Sequence, residues 1–226
     1  MSDEIEVSLD GLSVTIGIPV YNPIPHRTVM SLCGTVQELT KHKIKHNISM
    51  HVCGIITMGR SNVLADFLQS GTQKLFWVDA DMVWDPQDVM KLLAMSTEVD
   101  VVAAAYPAKV EGPATYYANF DAERKIGPFG LHEVKGLGLG FTVVDRKVCQ
   151  ELSDRAPMVK DEIANRSSAQ VFRTDATADG HFRGEDMAFF ADIRDLGYTV
   201  WCDPTIELGH IGPREWRGRL SDAFIK

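Results

Sequence analysis

The sequence predicts an α/β protein built on one mixed, mainly parallel central sheet flanked by helices. Two observations predict it. Short β-branched runs alternate with stretches of helical periodicity over about the first 107 residues. That β-α-β-α-β-α-β rhythm is what a parallel sheet with crossover helices requires. The chain also has 226 residues, 45% of them hydrophobic and 24% charged. That suits one compact domain with a sizeable core. The expected organisation is a single domain over 1–226, with 1–12 as an N-terminal extension and 213–226 as a C-terminal tail able to act as a lid.

The elements follow in order. VTIGIPV (Val14–Val20) is a β-branched strand that stops near Pro19. From Arg27 to about Lys41, Val29, Leu32, Cys33, Val36 and Leu39 recur at helical spacing. Ile48–Ile56 reads as the second strand. The stretch from Ser61 to Gly71 reads as a helix, with Ser61 as N-cap and Gly71 as stop. KLFWVD is the third strand. Asp85 then caps a helix with Pro86 in its first turn. VDVVAAAYP is the fourth strand. After it comes an irregular stretch rich in Gly, Pro and Tyr. A glycine-rich turn (GLGLGF), a strand over Phe141–Val144 and a helix follow. DATADGHFR reads as a loop, GEDMAFFADIRDLG as a helix, and YTVWCDPTIELGHIG as two short strands.

The net charge of −8 argues against a general nucleic-acid binder, which needs a basic surface. It also means that a polyphosphate ligand needs local cations. The four cysteines form no CxxC pair, so a reduced, cytoplasmic setting is expected. The acidic start does not read as a signal peptide, and no run approaches the ~20 apolar residues of a membrane span.

Several side chains could carry chemistry. Asp79 and Asp81 end an apolar strand, where carboxylates need compensation. At i and i+2 they could converge on one hard divalent cation, or they could sit in a solvated loop. Glu185 and Asp186 open a helix, where the helix dipole alone would stabilise them. Alternatively, Asp186 is a general base facing a crevice. His210 lies between glycines after a strand, as a structural residue or a ligand for Mn²⁺. Arg60 precedes the expected helix start, a natural anion site, or lies on the surface. Arg214, Arg217 and Arg219 surround Trp216 as a phosphate clamp or a solvated tail. Ligands of such sheets sit at the carboxyl ends of strands, so Tyr21–Pro23, Asp79 and Asp81 could share one crevice.

The ordered set IGIPVYN, GRSN, FWVDADM, VVAAAYPAK, GLGLGF, GEDMAFFADIRDLGY and LGHIG resembles the GT-A-fold nucleotide-sugar glycosyltransferases. The likeness is to the short, single-domain, family-2-like members, with their Rossmann-like sheet, and it runs from about Val14 to Gly212. It implies that Pro19, Val20, Tyr21 and Asn22 hold the nucleotide, with Arg60 and Asn62 nearby. It implies that Asp79, Ala80 and Asp81 are the DxD motif. Asp81 would be the main metal ligand, Asp79 would contact ribose or support the site, and His210 would complete it around Mn²⁺ or Mg²⁺. The glycine-rich segment containing Gly138 would lie beside donor sugar and acceptor. Asp186 would be the base of an inverting transfer, with Glu185 near the acceptor.

The implied partners are a UDP-sugar or GDP-sugar donor and a glycan, lipid-linked or small-molecule acceptor. Retention on the same fold and a non-catalytic nucleotide-sugar-binding module are the alternatives. A phosphatase of the haloacid dehalogenase type would also use D-x-D, with the first aspartate as nucleophile. Its motif belongs near the chain start, whereas here two β-α units precede it. Residues 111–135 carry no motif that maps onto the family.

Overall fold

A computed structural model describes residues 8–161 and 165–224. Residues 1–7 of the expected extension and 225–226 of the tail lie outside the described residues. In chain order the elements are β1 (Ser13–Val20), α1 (His26–Lys41), β2 (Lys45–Val52), α2 (Ile56–Ser70), β3 (Lys74–Val78), β4 (Met82–Val83), α3 (Pro86–Met95) and β5 (Val101–Ala103). Then come β6 (Ala118–Asn119), β7 (His132–Val134), β8 (Gly136–Leu137), β9 (Phe141–Asp145), α4 (Arg146–Arg155), β10 (Met158–Asp161) and β11 (Arg166–Ala169). The chain closes with β12 (Asp175–Ala176), β13 (Phe182–Arg183), α5 (Glu185–Asp195), β14 (Val200–Cys202), β15 (Leu208–Ile211) and β16 (Glu215–Gly218).

The central sheet has seven strands in the order β2-β1-β3-β9-β5-β14-β7. β2, β1, β3, β5 and β14 share one direction, and β9 and β7 oppose it. Alternate residues feed two cores, as the pleat requires. Phe76 and Val78 of β3 join Leu39 of α1 and Leu92 of α3 on one face. Leu75 and Trp77 join Phe67 of α2, Val148 of α4 and Phe189 of α5 on the other. With both faces covered, β3 is a continuous apolar run.

The predicted helix punctuation is present at α3 and at the end of α2. Asp85 accepts from the Gln87 N–H at 2.9 Å, Pro86 follows, and Gly71 ends α2 at φ 72°. The start of α2 differs from expectation. β2 ends at Val52 and the helix begins at Ile56, so Ser61 is buried inside it instead of capping it. Arg60 therefore stands in the second turn, not at an anion-binding helix start. DATADGHFR is a hairpin of β12 and β13, braced by the Arg183–Asp175 pair at 2.6 and 2.7 Å.

A second sheet, β16-β15-β4, lies where β3 ends. The tail segment therefore contains a strand. Its arginines are paired: Arg214 with Glu111 at 2.7 Å, Arg217 with Glu215 at 2.7 Å, and Arg219 with Glu207 at 2.8 Å. Among the described residues, no helix is long and apolar enough to cross a membrane.

Candidate active site

The chain turns sharply where β3 ends. The Asp79 N–H continues the ladder to the Gly140 carbonyl at 3.1 Å, and the Met82 N–H closes back onto the Asp79 carbonyl at 3.2 Å. β4 then pairs antiparallel with β15, setting Met82 opposite His210, and the Ile211 N–H bonds the Asp81 carbonyl at 2.8 Å. This register brings the imidazole to the DxD turn. His210 Nε2 lies 3.5 Å from Asp81 Oδ1.

The turn also separates the two aspartates, because its closure breaks the two-residue period on which convergence rested. Asp79 faces α2 and the segment after β5. One of its oxygens accepts from Arg60 Nη2 at 3.1 Å and the other from the Tyr106 hydroxyl at 3.2 Å. Asp81 faces His210 and the Lys109 ammonium, which hydrogen-bonds to Oδ2. Each carboxylate thus has its own cation.

Arg60 lies beneath both acidic motifs. It is 2% exposed, donates through Nη1 to Asp186, and its Nη2 lies 3.9 Å from Glu185. Burial works against its charge, but Asp186, Asp79 and Glu185 outweigh this and hold its pKa above the ordinary arginine value. Asp186 stands in the first turn of α5, with Gly184 as N-cap. Burial pushes its carboxyl up to about 6; Asp79 and Glu185 add to the rise, while Arg60 and the Leu139 N–H oppose it. Burial also raises Asp81, yet the neighbouring His210 and Lys109 side chains prevail and leave it below its ordinary value.

These groups line one crevice of about 470 Å³. Pro19, Tyr21 and Asn22 enter it from the end of β1; Asp79, Ala80 and Asp81 from the end of β3; Glu185 and Asp186 from α5; and His210 from β15. Of the residues that the glycosyltransferase resemblance assigns to the site, three lie off the wall. Val20 is buried at the end of β1, and Asn62 is buried within α2. Gly138 sits behind Tyr106, where a Cβ would strike the phenol.

Sequence reasoning did not single out Tyr106 or Lys109. Both lie in the VVAAAYPAK segment just past β5, and the crevice position of that strand end was the available signal. Tyr106 ties the site together. It bonds Asp79, its ring meets His210 edge-on at 4.9 Å, and its oxygen receives the Gly140 N–H at 3.4 Å.

Gly140 is required by close approach, since a Cβ there would come within 2.6 Å of the Asp79 carboxyl carbon. Gly140→Ala is expected to cost about 1–3 kcal/mol of stability through overpacking. An unchanged urea midpoint would show that Asp79 can move aside freely.

Two donors could hold a cation here. The Nδ1–H of His210 bonds the Pro107 carbonyl at 2.9 Å, which turns Nε2 toward Asp81. An unprotonated Nε2 facing a carboxylate oxygen at 3.5 Å places lone pair against lone pair unless a positive charge stands between them. The pair therefore suits a proton or a divalent ion that accepts mixed nitrogen and oxygen ligands. Among the described residues, no cluster of three or more His, Cys, Asp or Glu side chains is arranged for a metal, so water or ligand oxygens would complete any shell.

The fold is shared with solved structures. The crystal structure of A197 from STIV matches with a TM-score of 0.54 at 22% identity, over 89% of this chain and 86% of that one. GalNAc-T7, solved with UDP, GalNAc and Mn²⁺, matches with a TM-score of 0.56 at 12% identity. That match covers 93% of this chain and 45% of GalNAc-T7, so this chain spans under half of its length. No protein-family model and no curated protein matches the sequence. The class defined is a mixed α/β, GT-A-like fold, shared with a glycosyltransferase.

Proposed function

We propose that this protein is a metal-assisted glycosyltransferase that moves a sugar from a nucleoside-diphosphate sugar, a UDP-sugar by preference over a GDP-sugar, to an acceptor hydroxyl. One observation carries the reading: a single crevice at the strand ends joins the Asp81–His210 pair to the buried carboxylate of Asp186. The GT-A-like fold supports it, as does the presence of UDP and Mn²⁺ with GalNAc-T7.

Asp81 and His210 would hold Mn²⁺ or Mg²⁺, which when bound supplies Lewis-acid neutralisation of the diphosphate. Tyr21 and Asn22 would line the nucleotide end of the crevice. Asp186 would accept the proton of the acceptor hydroxyl as its oxygen bonds to the anomeric carbon. The bond from that carbon to the phosphate oxygen breaks, and the nucleoside diphosphate leaves with the electron pair. Attack opposite the leaving group inverts the anomeric centre. Glu185, beside Asp186, would face the acceptor. Arg60 would keep Asp186 and Asp79 in place by pairing with both.

Binding to the native state raises the melting temperature by mass action, and a ligand at 100 times its Kd contributes about 2.7 kcal/mol. For a chain of this size that is a rise of roughly 5–10 °C. UDP with Mn²⁺ is expected to give such a shift, and Asp81→Ala to lose the part that depends on Mn²⁺. A wild-type protein that ignores UDP with and without Mn²⁺ would defeat the proposal. Firm UDP binding without turnover of any UDP-sugar would favour a binding module.

A further inference from the structure

Lys109 has no role in the reaction just described, yet it lies in the same crevice and its ammonium hydrogen-bonds to Asp81 Oδ2. Its position is built. The Ala108 N–H bonds the Thr115 carbonyl at 2.7 Å, and the Trp216 indole N–H bonds the Val110 carbonyl at 2.8 Å. The backbone on both sides of Lys109 is thus pinned. Its stem runs past Gly212, where a Cβ would come within 3.2 Å of Lys109 Cδ. The side chain keeps 30% of its surface exposed, so the head group faces solvent as well as Asp81.

Charge bookkeeping in the crevice gives this placement its meaning. Four carboxylates line it: Asp79, Asp81, Glu185 and Asp186. Among the described residues of its wall, Arg60 and Lys109 are the permanent cations. Arg60 is sealed beneath the floor and committed to Asp79 and Asp186. An incoming diphosphate would therefore meet a wall whose one accessible fixed cation is Lys109, on the same aspartate a divalent ion would use. A lysine head is a mobile point charge on a four-carbon stem, suited to pass from carboxylate to phosphate.

We propose that Lys109 is a diphosphate-binding residue that holds Asp81 while no ligand is bound. It competes with the divalent cation for that carboxylate and moves to the diphosphate when nucleotide and metal enter together. This inference rests on the glycosyltransferase reading and adds to it a protein-supplied cation.

The test uses Lys109→Met and Lys109→Arg, with circular dichroism melts to establish that each folds. Free Mn²⁺ is titrated into nucleotide-free protein and followed by electron paramagnetic resonance. UDP binding is measured by calorimetry in Mn²⁺ and again in EDTA. Lys109→Met is expected to bind Mn²⁺ more tightly than wild type and UDP about tenfold more weakly, the scale of one lost charge-assisted hydrogen bond. Lys109→Arg is expected to retain UDP affinity. If wild type binds UDP and Lys109→Met binds it equally well, the inference is overturned and the glycosyltransferase reading stands. If Lys109→Met binds Mn²⁺ no more tightly, the competition is overturned. If wild type binds no UDP under either condition, both fall.

Discussion

Arg60→Met is expected to lower stability by about 3–5 kcal/mol, because it leaves buried carboxylates without their counter-charge. For a chain of this length that is a fall in Tm of roughly 6–20 °C. Arg60 is 2% exposed and pairs with Asp79 and Asp186 at once. Methionine fills the volume and removes only the charge and donors. The pH dependence has a definite sign. Arg60 is the main group opposing the rise of the Asp186 carboxyl, so its loss moves that folded-state pKa further upward. A raised folded-state pKa gives stability that is present at low pH and lost as pH rises through it. The deficit of Arg60→Met should therefore be larger at pH 7.5 than at pH 5. Adding Asp186→Asn should recover part of it, since one of the stranded charges is then gone. An arginine that served only as a phosphate ligand would behave otherwise, with UDP affinity falling and the melting temperature unmoved.

The same residue shows where sequence reading stops. Strands and helices announce themselves through local periodicity, and the caps at Asp85 and Gly71 through single residues of specific chemistry. The meeting of Asp81, His210 and Asp186 in one crevice was also legible, because each motif ends or begins an element on the carboxyl side of the sheet. What was not legible depends on pairing across long stretches of chain. The direction of β9 leaves no trace in Phe141–Asp145, since a buried strand is equally apolar in either orientation. The divergence of Asp79 from Asp81 comes from a turn closed by the backbone hydrogen bond from the Met82 N–H to the Asp79 carbonyl, which no side chain signals. Ser61 resembles a cap, which would set Arg60 just before a helix start, facing an anion or on the surface. Starting α2 at Ile56 instead puts the arginine inside the helix and under the carboxylates. The Gly- and Pro-rich stretch after β5 showed no periodicity, yet it supplies β7 to the sheet edge through pairing with β14.

Asp186→Asn is expected to lower UDP-sugar turnover by ~10²–10⁴-fold, the usual contribution of a positioned base. UDP affinity in Mn²⁺ should be retained. Asparagine keeps the size and shape and can still accept from Arg60 and from the Leu139 N–H, but it cannot take a proton from a hydroxyl. The wild-type rate should rise with pH and level off above about 6, where the carboxyl is ionised, and that inflection should vanish from the residual rate of the variant. Stability carries an independent signature. Because the folded-state pKa is raised, this carboxyl withdraws stability as pH climbs from its unfolded value of about 4 toward 6. Asparagine removes that withdrawal, so the variant should gain on wild type between pH 5 and pH 7.5. The two readouts separate chemistry from architecture. Lost turnover with retained UDP binding and this relative gain identifies Asp186 as a base held in a costly ionised state. Retained turnover with the same gain would make it a structural carboxylate and move the base to another crevice residue, with Glu185 next in line.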